Sequence, residues 1–274
     1  MEINGGMAVA LALEALGIER VFAIPSAHNL PMLNAIHHRG RIAVHGCRHE
    51  QGVVHAADGY SRATGGLAVA IVSTGPGTAN TMGGLYEAHY ASSPVLLITT
   101  QVPTDQLGRG RGYTHEAERQ HEMLATACRE VVTVTHAHQI AETIVRLGRS
   151  ALTGRPRPVA LEVPLDLQEV RIDIDEQQLR EAGGIETPRL TPDPQDIRAA
   201  AELLAAAERP IVLAGGGVLR SGAEAALVEL AEKMNAPVLT TPEGRSALSD
   251  DDPHSLGAVT TIRAMSDYIS QCDL

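Results

Sequence analysis

The 274 residues include no tryptophan and a single phenylalanine. Bulky aromatic anchors are therefore excluded as the basis of the core. Ala, Val, Leu and Gly take that place, and such small side chains suit helices packed closely onto parallel strands. Cysteine is also scarce. Cys47, Cys128 and Cys272 are odd in number and far apart, which excludes a disulfide framework and a CxxC metal pattern and fits a reducing cytoplasm. Dense basic runs are missing as well. With 22 Lys and Arg against 33 Asp and Glu, the formal net charge of −11 leaves no cationic surface for nucleic acid. The two arginines of Arg109-Gly110-Arg111 read as solvated. No apolar run is long enough to span a bilayer, and the opening Met-Glu-Ile-Asn lacks the basic-then-apolar order of a signal peptide. The expectation is a soluble, cytoplasmic protein with neither nucleic acid nor membrane as partner.

What is present is an alternation of short β-rich runs with helical patterns. It predicts helices over 7–16, 30–38, 50–64, 77–90 and 138–152, with strands over 21–24, 42–44, 67–72, 95–99 and 159–163. The runs 67–72 and 95–99 are apolar without alternation, as inner strands of a parallel sheet are. The fold class is α/β: a doubly wound parallel sheet with helices on both faces, followed by a second, incomplete Rossmann-like α/β domain. A long connection over 101–116 interrupts the pattern, and loops of that length inside a domain are often functional. Residues 168–194, with an acidic run at 173–176, Gly183-Gly184 and three prolines, read as a linker. The expected organisation is thus a first domain over 1–167, the linker over 168–194 and the second domain over 195–274. The second unit shows helices at 195–207 and 222–234 and strands at 211–214 and 238–240. These strands are too few for a closed doubly wound sheet, so the chain is expected to be part of a longer protein.

Two features carry chemistry. Glu50, in Arg48-His49-Glu50-Gln51, stands where a strand passes into a helix. In an open parallel sheet the ligand crevice lies at the carboxyl ends of strands, so the loops 23–28, 46–50 and 73–80 can converge there. Alone, a glutamate at a helix start is an ordinary favourable charge against the helix dipole. The second feature is Ser73-Thr74-Gly75-Pro76-Gly77-Thr78-Ala79-Asn80, whose glycines permit close backbone approach to a flat ligand and whose proline suits a first helical turn. Alone, it is an ordinary strand-to-helix turn. No GxxxxGK[ST] loop occurs, and Gly215-Gly216-Gly217 fails GxGxxG because Arg220 holds the sixth position.

In combination these residues are more specific. Arg48-His49-Glu50-Gln51 followed by 56–65 (Ala-Ala-Asp-Gly-Tyr-Ser-Arg-Ala-Thr-Gly) resembles the pyrimidine-domain signature of thiamine-diphosphate-dependent enzymes. The similarity continues through Thr74–Asn80, Gln101-Val102-Pro103, 153–159 and Val163-Pro164-Leu165-Asp166, and is greatest to the acetolactate synthase and benzoylformate decarboxylase branches. The resemblance implies that Glu50 hydrogen-bonds N1′ of the cofactor's aminopyrimidine inside a dry cleft. It also implies that a thiazolium ylid attacks a small 2-oxo acid for decarboxylation or carboligation. Pro25, Thr74, Pro76, Gly77 and Asn80 are the other cofactor-binding candidates. Ser26 and His28 are candidates for holding substrate, as is His115. The two histidines are also candidate catalytic proton handlers. Ser26-Ala27-His28 replaces the Gly-Gly pair, and Thr114-His115-Glu116 the Phe-Gln-Glu run, of acetolactate synthases. His37, His38, His121, His136 and His138 read as surface or packing residues.

The family's Mg2+ motif, Gly-Asp-Gly…Asn, is absent, so no metal ligand is assigned here. Mg2+ is expected through a missing C-terminal domain, supplied by another subunit of a homodimer or homotetramer, and this segment alone is expected to be inactive. Acetolactate synthases hold FAD near a domain like the second one, whereas decarboxylase relatives lack it, so FAD is not assigned. Two alternatives stay open. One is a lyase or acyltransferase of the same family, of sulfoacetaldehyde or oxalyl-CoA type. The other is a non-catalytic nucleotide-binding or regulatory module.

Overall fold

A computed structural model describes residues 1–184, 191–258 and 263–274. The chain forms two compact units, Met1–Pro188 and Arg189–Leu274.

The first unit opens with strand β1 (Glu2–Asn4) and helix α1 (Gly5–Ala15), followed by β2 (Arg20–Ala23), α2 (Leu30–Arg39), β3 (Ala43–Gly46) and α3 (Glu50–Thr64). Next come β4 (Ala68–Ile71), α4 (Pro76–Asn80), α5 (Met82–Ala91), β5 (Val95–Gln101) and α6 (Gln120–Ala125). The unit closes with β6 (Val131–Thr133), α7 (Gln139–Leu152), β7 (Val159–Pro164), β8 (Arg171–Asp173) and α8 (Glu176–Gly183). Six strands form one sheet in the order β3-β2-β4-β5-β7-β6, all parallel.

Alternation along the inner strands supplies both faces. Val69, Ile71, Leu96 and Ile98 join a core with α1, α2 and α7, while Ala68, Ala70, Val95 and Leu97 join another with α3, α5 and α6. Helix α1 is apolar almost all round because α2, α7 and α8 enclose it. Asn4 caps it, its side chain accepting from Met7 N at 2.9 Å. Helix α3 is amphipathic instead, burying Val53, Val54 and Ala57. It ends on Gly65 in the left-handed conformation.

Three sequence expectations change. The helix expected over 77–90 is two helices, parted at Thr81, whose hydroxyl donates to the Thr78 carbonyl at 2.6 Å. Helix α6 and strand β6 fill the stretch between 117 and 137, to which the sequence pattern assigns no element. Most of the expected linker is folded onto the first unit. Gln168 is fully buried, β8 pairs antiparallel with β1 (Ile3 opposite Ile172), and Asp175 caps α8. Arg149 donates to the Ala182 and Gly184 carbonyls. Residues 185–190 of that expected linker lie outside the described residues.

In the second unit, α9 (Pro194–Ala206) precedes β9 (Val212–Ala214), α10 (Gly216–Ser221), α11 (Glu224–Met234), β10 (Val238–Thr240) and α12 (Arg263–Ile269). Strands β9 and β10 are parallel, and Ala214, Leu227, Ala231, Val238, Ala247 and Leu248 form its core. Gly215-Gly216-Gly217 makes the tight passage from β9 into α10, with Gly216 against the Glu243 backbone.

The contact that docks α8 is open to test. A Cβ on Gly183 would stand 2.2 Å from the Ala15 carbonyl oxygen. Gly183→Val is expected to lift α8 from α1, lowering unfolding stability by about 1–3 kcal/mol and speeding protease cleavage near residue 175. Denaturant titration and timed proteolysis check both effects.

Candidate active site

Strands β2 and β4 are neighbours, with Ala23 opposite Ile71. Between them the chain detours to β3 on the far side of β2. The loops leaving β2 and β4 therefore part, and a crevice opens at the carboxyl ends, as at switch points generally.

The loop after β2 is fixed from within. Asn29, fully buried, accepts from Ser26 N at 2.8 Å and donates to the Ile24 carbonyl at 2.9 Å. Ser26 Oγ accepts from His28 N at 3.2 Å, and Gln168 Nε2 donates to the His28 carbonyl at 2.8 Å. This bracing leaves Pro25 exposed and Ser26 half-buried, while His28 is drawn inward. Its Nδ1 makes a long 3.5 Å approach to Ser73 Oγ.

Glu50 opens α3, behind the His49 side chain that caps it by accepting from Gln51 N. Its carboxyl lies against the first turn of α4. Asn80 Nδ2 donates to Oε2 at 2.9 Å, whereas Oε1 accepts no hydrogen bond among the described residues. A Cβ on Gly77 would stand 3.5 Å from Oε1, so the missing side chain leaves space beside that oxygen. Glu50 is half-buried in this chain rather than sealed in a dry cleft.

The turn after β4 is set by Gly75, at φ +59 and ψ −114, before Pro76 at the helix start. A Cβ there would meet the His115 carbonyl oxygen at 2.1 Å. Gly75 thus lets the loop after β5 close down on the turn. That loop is anchored where Thr104 donates to Asp166 through N (2.9 Å) and Oγ1 (2.6 Å), and where Glu116 accepts from the Gly110 and Tyr113 amides. His115, at φ +63, is exposed, and its ring lies 5.1 Å from that of His28. The basicity of His28 is lowered by burial and by the neighbouring His115, partly offset by a hydrogen bond to the Thr114 backbone.

The structure therefore places Pro25, Ser26, His28, Glu50, Pro76, Gly77, Asn80 and His115 on the segments that follow the carboxyl ends of β2, β3, β4 and β5, with His28 against Ser73 and His115, and Glu50 against Gly77 and Asn80. Thr74 differs. It is fully buried, and its hydroxyl donates inward to Gln120 Oε1 at 2.9 Å, so it serves the turn rather than the crevice surface. Sequence reasoning missed Gln120, Glu162 and Gln168, and gave Ser73 only as the first residue of the turn. One signal was available for Glu162: it is the only charge in the apolar run of β7. His121, read as a surface residue, is half-exposed but bonded to Glu162 at 3.0 Å.

The profile of thiamine pyrophosphate enzymes, N-terminal TPP binding domain, matches residues 3–123, and that of their central domain matches residues 197–274. The chain belongs to the thiamine pyrophosphate enzyme family. Its N-terminal TPP binding domain contains the crevice just described. The chain is 40% identical over 265 residues to a probable acetolactate synthase large subunit of Methanococcus aeolicus, covering 94% of this chain and 43% of the relative. It is 34% identical over 274 residues to a probable 2-ketoarginine decarboxylase of Pseudomonas aeruginosa, covering 99% and 48%. It superposes with a TM-score of 0.85 on a thiamine diphosphate-dependent 4-hydroxybenzoylformate decarboxylase of Rhodococcus jostii RHA1, at 24% identity over 93% of this chain and 48% of that one. The chain thus spans less than half the length of these relatives. Among the described residues no helix is long and apolar enough to cross a membrane.

His28 gives the site a pH signature. Its folded-state proton affinity lies below the ordinary 6.5, so as the pH falls below that value the unfolded chain takes up the proton first. Stability is then lost until the folded His28 also protonates. Thermal midpoints measured between about pH 5 and 8 are expected to fall on the acid side, and His28→Gln is expected to flatten that fall.

Proposed function

We propose that this chain forms the pyrimidine-binding half of a thiamine diphosphate site in an enzyme that decarboxylates or carboligates a small 2-oxo acid. The observation that carries the reading is the Glu50 carboxyl, steadied at one oxygen by Asn80, with its other oxygen open beside Gly77. An aminopyrimidine needs these two things: a carboxyl that can share a proton with a ring nitrogen, and a backbone bare enough for a flat ring to approach. The residues present fit that group. Glu50 would hold the ring nitrogen, and Pro25, Pro76, Gly77 and Asn80 would border the ring. Thiamine diphosphate, when bound, supplies an electron sink next to the reacting 2-oxo carbon.

The chain's own residues then divide the work. Glu50 holds or releases a proton at the ring nitrogen. His115, exposed at the mouth, is placed to exchange protons with substrate, while buried His28 holds the Thr114–His115 backbone in position. Ser26 borders the same mouth and is the candidate contact for a substrate carboxylate. On this reading Mg2+ and the diphosphate are held outside this chain, on a domain of another subunit in a homodimer or homotetramer. That domain would also close the half-buried Glu50 off from water, where its charge interactions strengthen. The chain itself offers no three His, Cys, Asp or Glu gathered as a cation site among its described residues.

The deciding experiment measures CO2 release from a panel of 2-oxo acids by the full-length protein with thiamine diphosphate and Mg2+, beside Glu50→Gln. Thiamine-diphosphate-dependent release that falls about 10²- to 10⁴-fold in the variant is the expected result. Cofactor binding without release from any acid would move the reading to lyase or acyl-transfer chemistry. Absence of cofactor binding in the wild type would overturn it.

A further inference from the structure

We infer that Glu162 and Gln120 form a buried positioning unit that fixes the Thr74–Gly75 peptide, and through it the turn beside Glu50. The functional consequence, though not the geometry, rests on the cofactor reading above.

Glu162 is wholly buried in β7, between Leu161 and Val163 of the core. A carboxyl group there is costly unless every lone pair is met. Here they are met two by two. Oε1 accepts from Gln101 Nε2 at 3.3 Å and from Gln120 Nε2 at 2.8 Å. Oε2 accepts from the Thr133 hydroxyl and from His121 Nδ1 at 3.0 Å. The donors come from β5, α6 and β6. A carboxylate only accepts, so its pairing with His121 Nδ1 calls for the tautomer that carries hydrogen on that nitrogen.

Gln120 passes this polarity on. Both hydrogens of its Nε2 are committed, one to Glu162 and one to the Thr100 carbonyl at 3.0 Å. The amide oxygen is thereby aimed the other way, where it accepts from Thr74 Oγ1 at 2.9 Å and Gly75 N at 2.7 Å. Thr74 N donates to Thr100 Oγ1 at 2.9 Å, so the peptide is held from two sides. The held residue is the one that sets the crevice. Gly75 carries the left-handed φ, places Pro76 and Gly77 beside Glu50, and receives the His115 carbonyl on its bare side. An apolar residue at 162 would pack as well in β7. What it would lose is the acceptor that keeps the Gln120 amide from turning over. Glu162 touches nothing at the crevice surface, so its role is positioning.

The test uses the full-length protein and two readouts. Amide hydrogen exchange over residues 72–81 without cofactor, compared with α1 of the same variant, reports the turn alone. Thiamine diphosphate affinity by calorimetry reports the consequence. Gln120→Met, which keeps length and removes the amide, and Glu162→Ala are expected to speed exchange over 72–81 about tenfold or more relative to α1 and to weaken cofactor binding by a similar factor. Glu162→Gln is expected to restore both. Its oxygen can still accept from Gln120, and its NH2 can donate to the Thr133 hydroxyl and to the other tautomer of His121. Unchanged exchange in Gln120→Met would overturn the inference, as would Glu162→Gln behaving like Glu162→Ala. Wild-type protein that fails to bind thiamine diphosphate while the exchange results hold would overturn the functional reading and leave the positioning unit standing.

Discussion

A parallel sheet covered by helices on both faces has only its strand ends left for chemistry, and the rest of the first unit follows from that restriction. Strands β4 and β5 send alternate side chains into opposite cores, so neither face has room for a ligand. At the carboxyl end the chain passes from β2 outward to β3 and returns on the other side at β4. That detour separates two loops which would otherwise pack together. Glu50 opens α3 at this place, where its charge also suits the first turn of the helix. One residue therefore satisfies helix electrostatics and supplies the crevice with its carboxyl.

The shortage of aromatics has a counterpart in how closely backbones approach one another. Gly84 faces the Val54 side chain, where an added Cβ would come within 2.8 Å, so α3 and α5 pack tightly over the sheet. The crevice uses the same device for a different end. At Gly75 the missing Cβ admits a carbonyl from the loop after β5, and at Gly77 it leaves space beside Glu50. Composition thus acts on both the packing and the site, because a fold built from small residues brings loops within reach that bulkier cores would hold apart.

Much of this was legible in the sequence where the controlling interactions are local. The helix 50–64 was read at its true bounds because its apolar face and its Gly65 stop lie within the segment itself. Among the site candidates, Glu50 and the turn 73–80 stood out at strand-to-helix junctions, whereas Ser26, His28 and His115 were named from the family resemblance. Long-range features were hidden. Strand β1 pairs with β8 across most of the unit, and neither three-residue segment announces a partner, so the stretch after 168 looked like a linker. Thr74 was misread for the same reason. A hydroxyl in a ligand-side turn looks available until Gln120, 46 positions later, is found to accept from it. His121, read as a surface or packing residue, is half exposed, while its Nδ1 faces a buried carboxyl 41 positions later, which no local pattern shows.

The two histidines show how burial assigns roles that residue type does not. Both imidazoles border one crevice and lie within ring-contact distance of each other. His28 is enclosed, with Nδ1 3.5 Å from Ser73 Oγ and a hydrogen bond to the Thr114 backbone, and that burial disfavours the protonated ring. A nearby positive charge on His115 makes that proton harder still to accept. His115, in contrast, is exposed. The pair is therefore unequal: an enclosed ring that holds the loop after β5, and an exposed ring carried on that loop. The left-handed backbone at His115 supports this division. A non-glycine residue keeps that conformation only where its surroundings fix it, and the surroundings here are His28 behind the Thr114 backbone and Gly75 beneath the His115 carbonyl.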